Sequence, residues 1–579
     1  MAQNEKDKKL KTEIWEKFEL SKDYEDKKRL LTRSERNWNF FVGNQWKGLN
    51  SFGEELPVLN FIKTIVQYKI SSVAQNAMTA YYSDMEMRTE LAEVYKNLNL
   101  YWRQCWEKSK MNEMCWRMLK SAAIQGDSYF YWHDGNTLEP PQIIPNTSIH
   151  FADENIDNIQ EQPYIIIEER WEASEAVKVA KENGCTEEEI KLIQPDDNTD
   201  RQLYNKDEVK DKVTVLLYMT RNDDGIVETG RSTESVVIEP LEAKVNQNGV
   251  GQIMGRLTVY PVINYVWESL PNTARGVGEV EMLIPNQLEL NKTLARRSMA
   301  VKMAAYPRMA YDATAVSNPE DLDKVGAPIA VQGGSSQSIN QMISYLNPAN
   351  IASDAYQLSN DLLQTTKDLA GASDYALGNI NPEQASGTAI IAVRDQSQVP
   401  LNEQVSRFKQ FVEDVSLLWV DLWIVFNSDG ITFEYEDENG NKIPVSLSQE
   451  DLENLKPTVQ IDVSPDNQWT KLAEQQSLDT LLQLGQITLE EYVECTPENS
   501  SVPKAKLQQV INKRKALQLQ QQQMMQQQMM MQQAQGQINP DIVLQELLNQ
   551  GVPEEEAMGM VQELMMGNQP DIGSEEELV

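Results

Sequence analysis

Histidine occurs only twice in the 579 residues, at His133 and His150, and cysteine four times, at Cys105, Cys115, Cys185 and Cys495. These scarcities exclude much of hydrolytic chemistry. No H-E-x-x-H and no paired Cys/His spacing is present, so a zinc hydrolase is not expected. A histidine-dependent triad would have to use one of the two imidazoles, and no G-x-S-x-G accompanies them. A surface or sheet-edge position is expected for both. There is no G-x-x-x-x-G-K-[ST], which removes a P-loop motor, and Gly276-Val277-Gly278 lacks the third glycine of a dinucleotide fingerprint. It reads as a helix-entry turn. The cysteines form no C-x-x-C; Cys105 and Cys115 lie in a Trp-rich helical run and read as core thiols, without a disulfide framework. The opening MAQNEKDKKLKTEIW has no apolar run, and no window approaches eighteen uncharged apolar residues, so neither a secretory signal nor a membrane span is expected.

Positive charge is also short. Lys and Arg total 52 against 88 Asp and Glu, a formal net charge of −36. A chain gripping nucleic acid over its whole surface needs Lys and Arg to displace counterions, so that role is excluded, although nucleic acid sliding past is not. With so many acids, nearness of two carboxylates in sequence says nothing about acid–base or two-metal work, and a solvated face is the default. No catalytic residue, metal or cofactor is expected.

What is present is length enough for several folded units and 40% apolar residues, including 12 Trp and 20 Tyr. The expectation is an α+β protein, predominantly helical. Charged helical sequence over residues 5–37 gives way to NWNFFVGNQWKG (Asn37–Gly48), with a turn at Gly43-Asn44. Helices are expected over 60–80 and 91–126. From Asp127 to Tyr265 the period becomes two, with strands at 143–151, 163–171, 213–220 and 259–267 and a charged helical insertion at 173–193. A helix then runs to about Ala304 with Ile284, Leu288, Ala295 and Met299 as its apolar seam. A short β-like stretch punctuated by Pro307, Pro319, Pro328 and Pro348 leads to a second helix, Asn350–Leu369. The two make a projecting arm.

The longest element expected is Ser386–Phe426. Leu401, Val405, Phe408, Val412, Val415, Trp419, Leu422 and Phe426 alternate three and four apart, one face of a helix. Ser386 is its N-cap, and Pro400 removes a backbone donor and predicts a kink. As helix this stretch would span roughly 60 Å, too long for most single domains. Strands at 431–437 and 458–464 would complete the sheet begun before residue 270. The end is helical: Thr488 and Glu491 form a capping box, Gln518–Gln537 is a Gln/Met tract open to either helix or disorder, and two short amphipathic helices precede an acidic tail.

In this order the parts resemble a bacteriophage portal protein, the head-to-tail connector, similar to those of short-tailed phages. The resemblance rests on the FVGNQW element (F-x-G-x-Q-W), the helix–insert–helix arm, the A-S-G-T-A-I-I opening at Ala385–Ile391, and LDTLLQLGQITLEEY near the C-terminus, and spans most of Trp38–Tyr492. It implies an N-terminal helical and aromatic segment (1–60), a wing (61–275), a stem helix (276–304), a clip (305–347), a returning stem helix (348–371), a tunnel loop (372–385), a long kinked helix (386–427), a return to the wing (428–468), crown helices (469–515), and a barrel-like helical extension (516–579). It further implies a ring, usually a dodecamer, at one capsid vertex of the virion, made in the bacterial host cytoplasm. Through it terminase packages double-stranded DNA that is later ejected. Expected partners are further copies of the chain, terminase, major capsid and scaffolding proteins, and a head-to-tail adaptor, but no membrane.

Lys292, Arg296, Arg297 and Lys302 are the candidate channel bases, sharing roughly one helical flank. Pairing with Glu289 and with neighbouring copies competes with weak phosphate contact for them. Asp374, Tyr375, Asn379, Asn381, Glu383 and Gln384 are the candidate tunnel-loop residues, and Pro400 the helix kink. Two rival readings are an acidic metal-dependent nuclease or hydrolase, and a ring-forming scaffold with no part in DNA passage.

Overall fold

The computed structural model describes residues 2–47, 56–75, 77–86, 88–133, 135–196, 211–247, 253–305, 309–322, 324, 326, 328–332, 343–345, 353–372, 399–436, 442–453 and 455–464. Further on it describes 478–488, 491–492, 495, 507, 510–511, 513–515, 517, 524, 540–549 and 551–566. About 51% of the described residues are helix and 22% strand, the helix-rich α+β class expected. Two units separate, Met1–Pro465 and Asp466–Val579.

The first unit opens with α1 (Ala2–Lys28) and α2 (Leu30–Val42), which meet at Arg29 in the left-handed region, φ 54°. After α3 (Phe61–Ala74) comes β1 (Ala77–Asp84). Residues 77–80 had been expected to continue the helix. Here Met78, Ala80 and Tyr82 are buried while Tyr81 is exposed, the period of a strand. Helices α4 (Ala92–Lys108) and α5 (Met111–Gln125) replace the single helix expected, because Lys110 turns left-handed between them. Cys105 and Cys115 are buried there as free thiols.

The β-rich part contains β2 (Asp127–Tyr131), β3 (Gln142–Pro145), β4 (Ile149–Phe151), β5 (Tyr164–Glu172), α6 (Ala173–Glu182), α7 (Glu187–Ile190), β6 (Lys212–Arg221), β7 (Val227–Ser232), β8 (Val237–Ala243), β9 (Val245–Gln247), β10 (Ile253–Arg256) and β11 (Val262–Val266). Strands β4 to β8 form an antiparallel sheet in sequence order, and β2 sits between β11 and β3 in another. The single strand expected over 143–151 is therefore two, in different sheets. Strands β5 and β6 read as continuous apolar runs because both faces are covered. Ile166, Leu216 and Tyr218 pack under Ile14 and Phe18 of α1. On the opposite face Val213 and Val215 meet Ala176 and Ala180 of α6, while Leu217 and Met219 join the main core.

Strands β12 (Glu268–Ser269) and β13 (Gly276–Val277) lead into α8 (Glu279–Ala305); β14 (Met309–Tyr311) and β15 (Ile343–Tyr345) pair with each other; and α9 (Ser353–Leu369) returns. A 3-10 turn, Val399–Leu401, precedes α10 (Asn402–Phe426). Strands β16 (Ile431–Glu436) and β17 (Lys442–Leu447) form their own hairpin, followed by α11 (Gln449–Glu453) and β18 (Pro457–Ser464). β18 pairs antiparallel with β1 from Ala77↔Ser464 to Asp84↔Pro457. So these strands do not extend the sheet begun before residue 270. The edge that needs eight partners is β1, which the sequence had hidden at the end of a helix.

Helix α10 holds the main core together. Trp419 packs within about one ring diameter of Trp102, Trp106, Trp132 and Trp423, with centroids 6.0–6.3 Å away. Several buried polar ends are satisfied: Trp102 donates to Ser416 Oγ (3.1 Å), Trp423 to Thr137 Oγ1 (2.7 Å), and Tyr82 to the Ser416 carbonyl (2.7 Å), whereas Trp419 Nε1 and Trp132 Nε1 meet no acceptor among the described residues. Leu401, Phe408, Val412, Val415, Trp419 and Leu422 are buried as their spacing requires. Pro400 lies in the 3-10 turn at the start of α10, which spares the helix the missing N–H. The expected stretch from Ser386 to Gln398, with its N-cap, lies outside the described residues.

In the second unit a small cluster joins Tyr492 and Ile511 to Leu478, Leu482, Ile487 and Leu507. The capping box forms: Glu491 N donates to Thr488 Oγ1 (3.3 Å) and Thr488 N to Glu491 Oε2 (2.8 Å). Helices α12 (Pro540–Asn549) and α13 (Glu554–Met566) are the two short helices expected, turned at Gly551, φ 83°. Of the Gln/Met tract, only Met524 is among the described residues.

Candidate functional site

Helices α8 and α9 run side by side, tied by side-chain hydrogen bonds. Asn286 Nδ2 donates to Thr366 Oγ1 (3.1 Å), and Arg297 Nη1 donates to Ser359 Oγ (3.1 Å). Both hydroxyls are buried. At the far end of the pair β14 lies against β15, and Val316 bridges Val331.

The inner face of α8 is not the apolar seam that spacing suggested. Val280, Leu283, Ile284 and Leu290 are buried, but so are Gln287, Asn291 and Thr293, whereas Met299 is 49% exposed. Gln287 explains the shift. Its Oε1 accepts from Phe61 N (3.1 Å), and its Nε2 donates to the Leu59 carbonyl (2.8 Å) and to Asn291 Oδ1 (2.9 Å). Asn291 in turn donates to Gln45 Oε1. The FVGNQW element thereby acquires a physical role. Phe41 is core, Gly43 ends α2 at φ 98°, Gln45 holds α8, and Trp46 Nε1 donates to the Pro57 carbonyl (3.2 Å). Two amides four apart on the inner side of an amphipathic helix were the available signal for this clasp.

The base of α8 is fixed by a buried charge cluster that sequence reading missed. Arg275 donates from Nε and Nη2 to the two Glu154 oxygens (3.1 and 2.9 Å), from Nη2 to the Ile149 carbonyl (2.8 Å), and from Nη1 to the Asn146 carbonyl. Asp127 accepts from Gly276 N (3.2 Å) and the Tyr129 hydroxyl (2.7 Å). Burial works against the Arg275 charge, but Glu154, Tyr129 and Asp127 outweigh it and hold its pKa well above the ordinary value. Burial pushes the Asp127 carboxyl upward, against the pull of Arg275. Gly278 lets the backbone close in: a Cβ there would lie 2.6 Å from the Ile124 carbonyl oxygen. The Gly-x-Gly is thus a helix-entry turn, as read. Lys69 and Glu279 add an ion pair at 2.7 Å.

Of the four candidate bases, Lys292, Arg296 and Lys302 are exposed. Arg296 faces Glu289 at 3.6 Å, and Arg297 is directed at Ser359 instead of outward. They do not form a single free flank. Asp374, Tyr375, Asn379, Asn381, Glu383 and Gln384 lie outside the described residues. His133 is exposed, its Nδ1 3.0 Å from Arg231 Nη2. His150 sits on the edge strand β4, a sheet-edge position as expected, yet is fully buried, edge-on to Phe18 (4.9 Å) with Glu168 at 3.6 Å, because α1 covers the sheet there. Among the described residues no group of three or more His, Cys, Asp or Glu is placed to hold a metal ion, and no helix is long and apolar enough to cross a membrane.

A family model described as phage P22-like portal protein matches residues 153–546. No curated protein matches the sequence. Among solved structures, a chain from the neck of an empty GTA particle computed with C6 symmetry is similar at 9% identity and a TM-score of 0.33, covering 73% of this chain and 85% of that one.

Proposed function

The chain belongs to the phage P22-like portal protein family, and on that premise we propose that it forms a ring, of twelve copies, at one vertex of a phage capsid. DNA enters through the ring under the drive of terminase and leaves through it at ejection. The observation that carries the reading is the family match itself, which spans the α8–α9 arm, α10 and the strands behind them.

In this reading residues 61–275 and 428–468 are the wing, 276–304 and 348–371 the stem, 305–347 the clip that meets terminase and later the adaptor, 372–385 the tunnel loop, 469–515 the crown, and 516–579 the helical extension. The net charge of −36 per chain gives the ring a strongly acidic character, so DNA is repelled from its walls and does not stick during transit. The clasp of Gln45, Gln287 and Asn291 and the Arg275 cluster support the stem role, since a helix under load needs a fixed base. Helix α10 then links channel to wing, with no catalytic part.

The test is direct. The purified protein, imaged by negative stain and weighed by native mass spectrometry, should give rings with a central hole that bind terminase. Substitutions in residues 372–385 should impair packaging or retention of DNA and leave rings intact. Monomers with Mg²⁺-dependent nuclease activity would favour the hydrolase reading, and rings without terminase affinity the scaffold reading.

A further inference from the structure

The exposed faces of α8 and α9 carry opposite charge. On α8 the outward stripe is Glu289, Lys292, Arg296 and Met299, spaced three and four apart. Its bases are little engaged within the chain: Lys292 has no ion-pair partner among the described residues, and Arg296, its side chain 72% exposed, has only Glu289 at 3.6 Å. On α9 the outward residues Gln357, Asp361, Gln364 and Asp368 present two carboxylates seven apart, also unpaired among the described residues. Apolar surface flanks both stripes, with Val301 58% and Leu358 55% exposed.

The two stripes are also at the same level along the arm. Asn286 lies beside Thr366 and Arg297 beside Ser359. Lys292 is midway between the first members of these pairs, and Asp361 lies between the second members. Because the helices are antiparallel, Lys292 and Asp361 share a height, although they do not meet within one chain.

We propose that the arm of one copy packs sideways on the arm of the next, the Lys292 and Arg296 face of α8 meeting the Asp361 and Asp368 face of α9 on the neighbouring copy, with Lys292 level with Asp361, Arg296 about one turn to one side of that level and Asp368 about two turns to the other. This rests on the ring reading above. A rotation axis relates copies without shifting them along it, so groups level in one chain are level in its neighbour when the helices run close to that axis. The contact joins two different faces, as a closed ring of more than two members requires. Each exposed ion pair alone contributes little. Repeated at every junction, the pairs fix register and exclude like-charge mismatches. Lys292 and Arg296 are then contacts between copies and not ligands for DNA phosphates.

The full chain tests this with two charge reversals, Lys292→Glu with Arg296→Glu, and Asp361→Lys with Asp368→Lys. Each double variant should keep the wild-type thermal melt of the folded chain and lose assembled rings about tenfold at low ionic strength. All four changes in one chain should restore rings. An equimolar mixture of the two double variants should also assemble, because every junction then joins opposite charges. A second measurement uses Lys292→Cys with Asp361→Cys: oxidation should give a ladder of covalent multimers, beyond any formed by the wild type with its exposed Cys495. Double variants that assemble like the wild type, a fourfold variant that stays unassembled, or absence of the ladder in rings would each overturn the proposal while leaving the ring intact. Failure of the wild type itself to assemble would overturn the ring reading, and the proposal with it.

Discussion

Asn291 donates its side-chain amide to Gln45, joining α8 to a turn 246 positions earlier in the chain. Both side chains are buried, so the bond is made away from water, and the groups on either side of it depend on it. Gln45 also donates to the Phe40 carbonyl (2.9 Å), while Gln287 connects Asn291 to Leu59 and Phe61. The N-terminal segment and the arm are thus one polar network set inside an apolar core.

Gln45→Ala should therefore destabilise the first unit by about 1–3 kcal/mol, because it strands the Asn291 amide without an acceptor. Urea denaturation followed by tryptophan fluorescence measures this. A loss under a few tenths of a kcal/mol would mean that water replaces the glutamine without penalty.

Gly278→Ala should be harmful, and because Gly278 stands just before α8 the helix preference of alanine offsets nothing. The added Cβ would lie 2.6 Å from the Ile124 carbonyl oxygen and 2.8 Å from that of Ala123, both backbone atoms that cannot turn aside. Overpacking of this kind costs about 1–3 kcal/mol. Gly184, with nothing within 4 Å, is the control for space, though its φ of 79° makes it a control for strain as well. An unchanged midpoint for Gly278→Ala would show that α5 and α8 can part by several tenths of an ångström.

Asp421, on α10, has a carboxyl pushed up from 3.8 to about 6 by burial alone. The folded chain therefore holds a proton there that the unfolded chain releases. Stability falls as pH rises from about 4 to about 6 and is level above that, as far as this group is concerned. Asp421→Asn should remove the penalty, raising stability at pH 7.5 by about 1–3 kcal/mol and leaving it unchanged near pH 4. Denaturant midpoints at the two pH values decide it. Destabilisation at both would mean that the carboxylate has a partner.

Much of the architecture was legible from pattern alone. The stripe of α10, the strand character of 163–171 and 213–220, the arm of two helices and the Thr488 capping box follow from spacing and cap chemistry, which are local. What escaped was set by distant parts of the chain. Residues 77–84 become a strand because β18 supplies partners, and nothing near Ala77 announces them. Met299 is exposed and Gln287 buried because the core against α8 contains the Leu59 carbonyl and the Phe61 amide. His150 is buried because Phe18 of α1 lies over it. The site residues divide in the same way: Arg297 looked like a free base until Ser359, 62 positions on, was placed beside it. Arg275 gave no sign of its cluster, since Glu154, Asn146 and Ile149 lie over a hundred positions away.

The pairing of β1 with β18 bears on how the chain is made. Ser83 and Thr458, which face each other in that ladder, are 375 positions apart. At a synthesis rate of about 5–20 residues per second, β1 leaves the ribosome on the order of 20–75 s before its partner exists. Throughout that interval its backbone is an open edge, able to pair with the same strand on a neighbouring nascent chain. The main core therefore closes only after residue 464 has been made. Slowing synthesis between residues 84 and 457 lengthens the exposure, so the yield of folded chain is governed by time on the ribosome as much as by the stability of the finished fold.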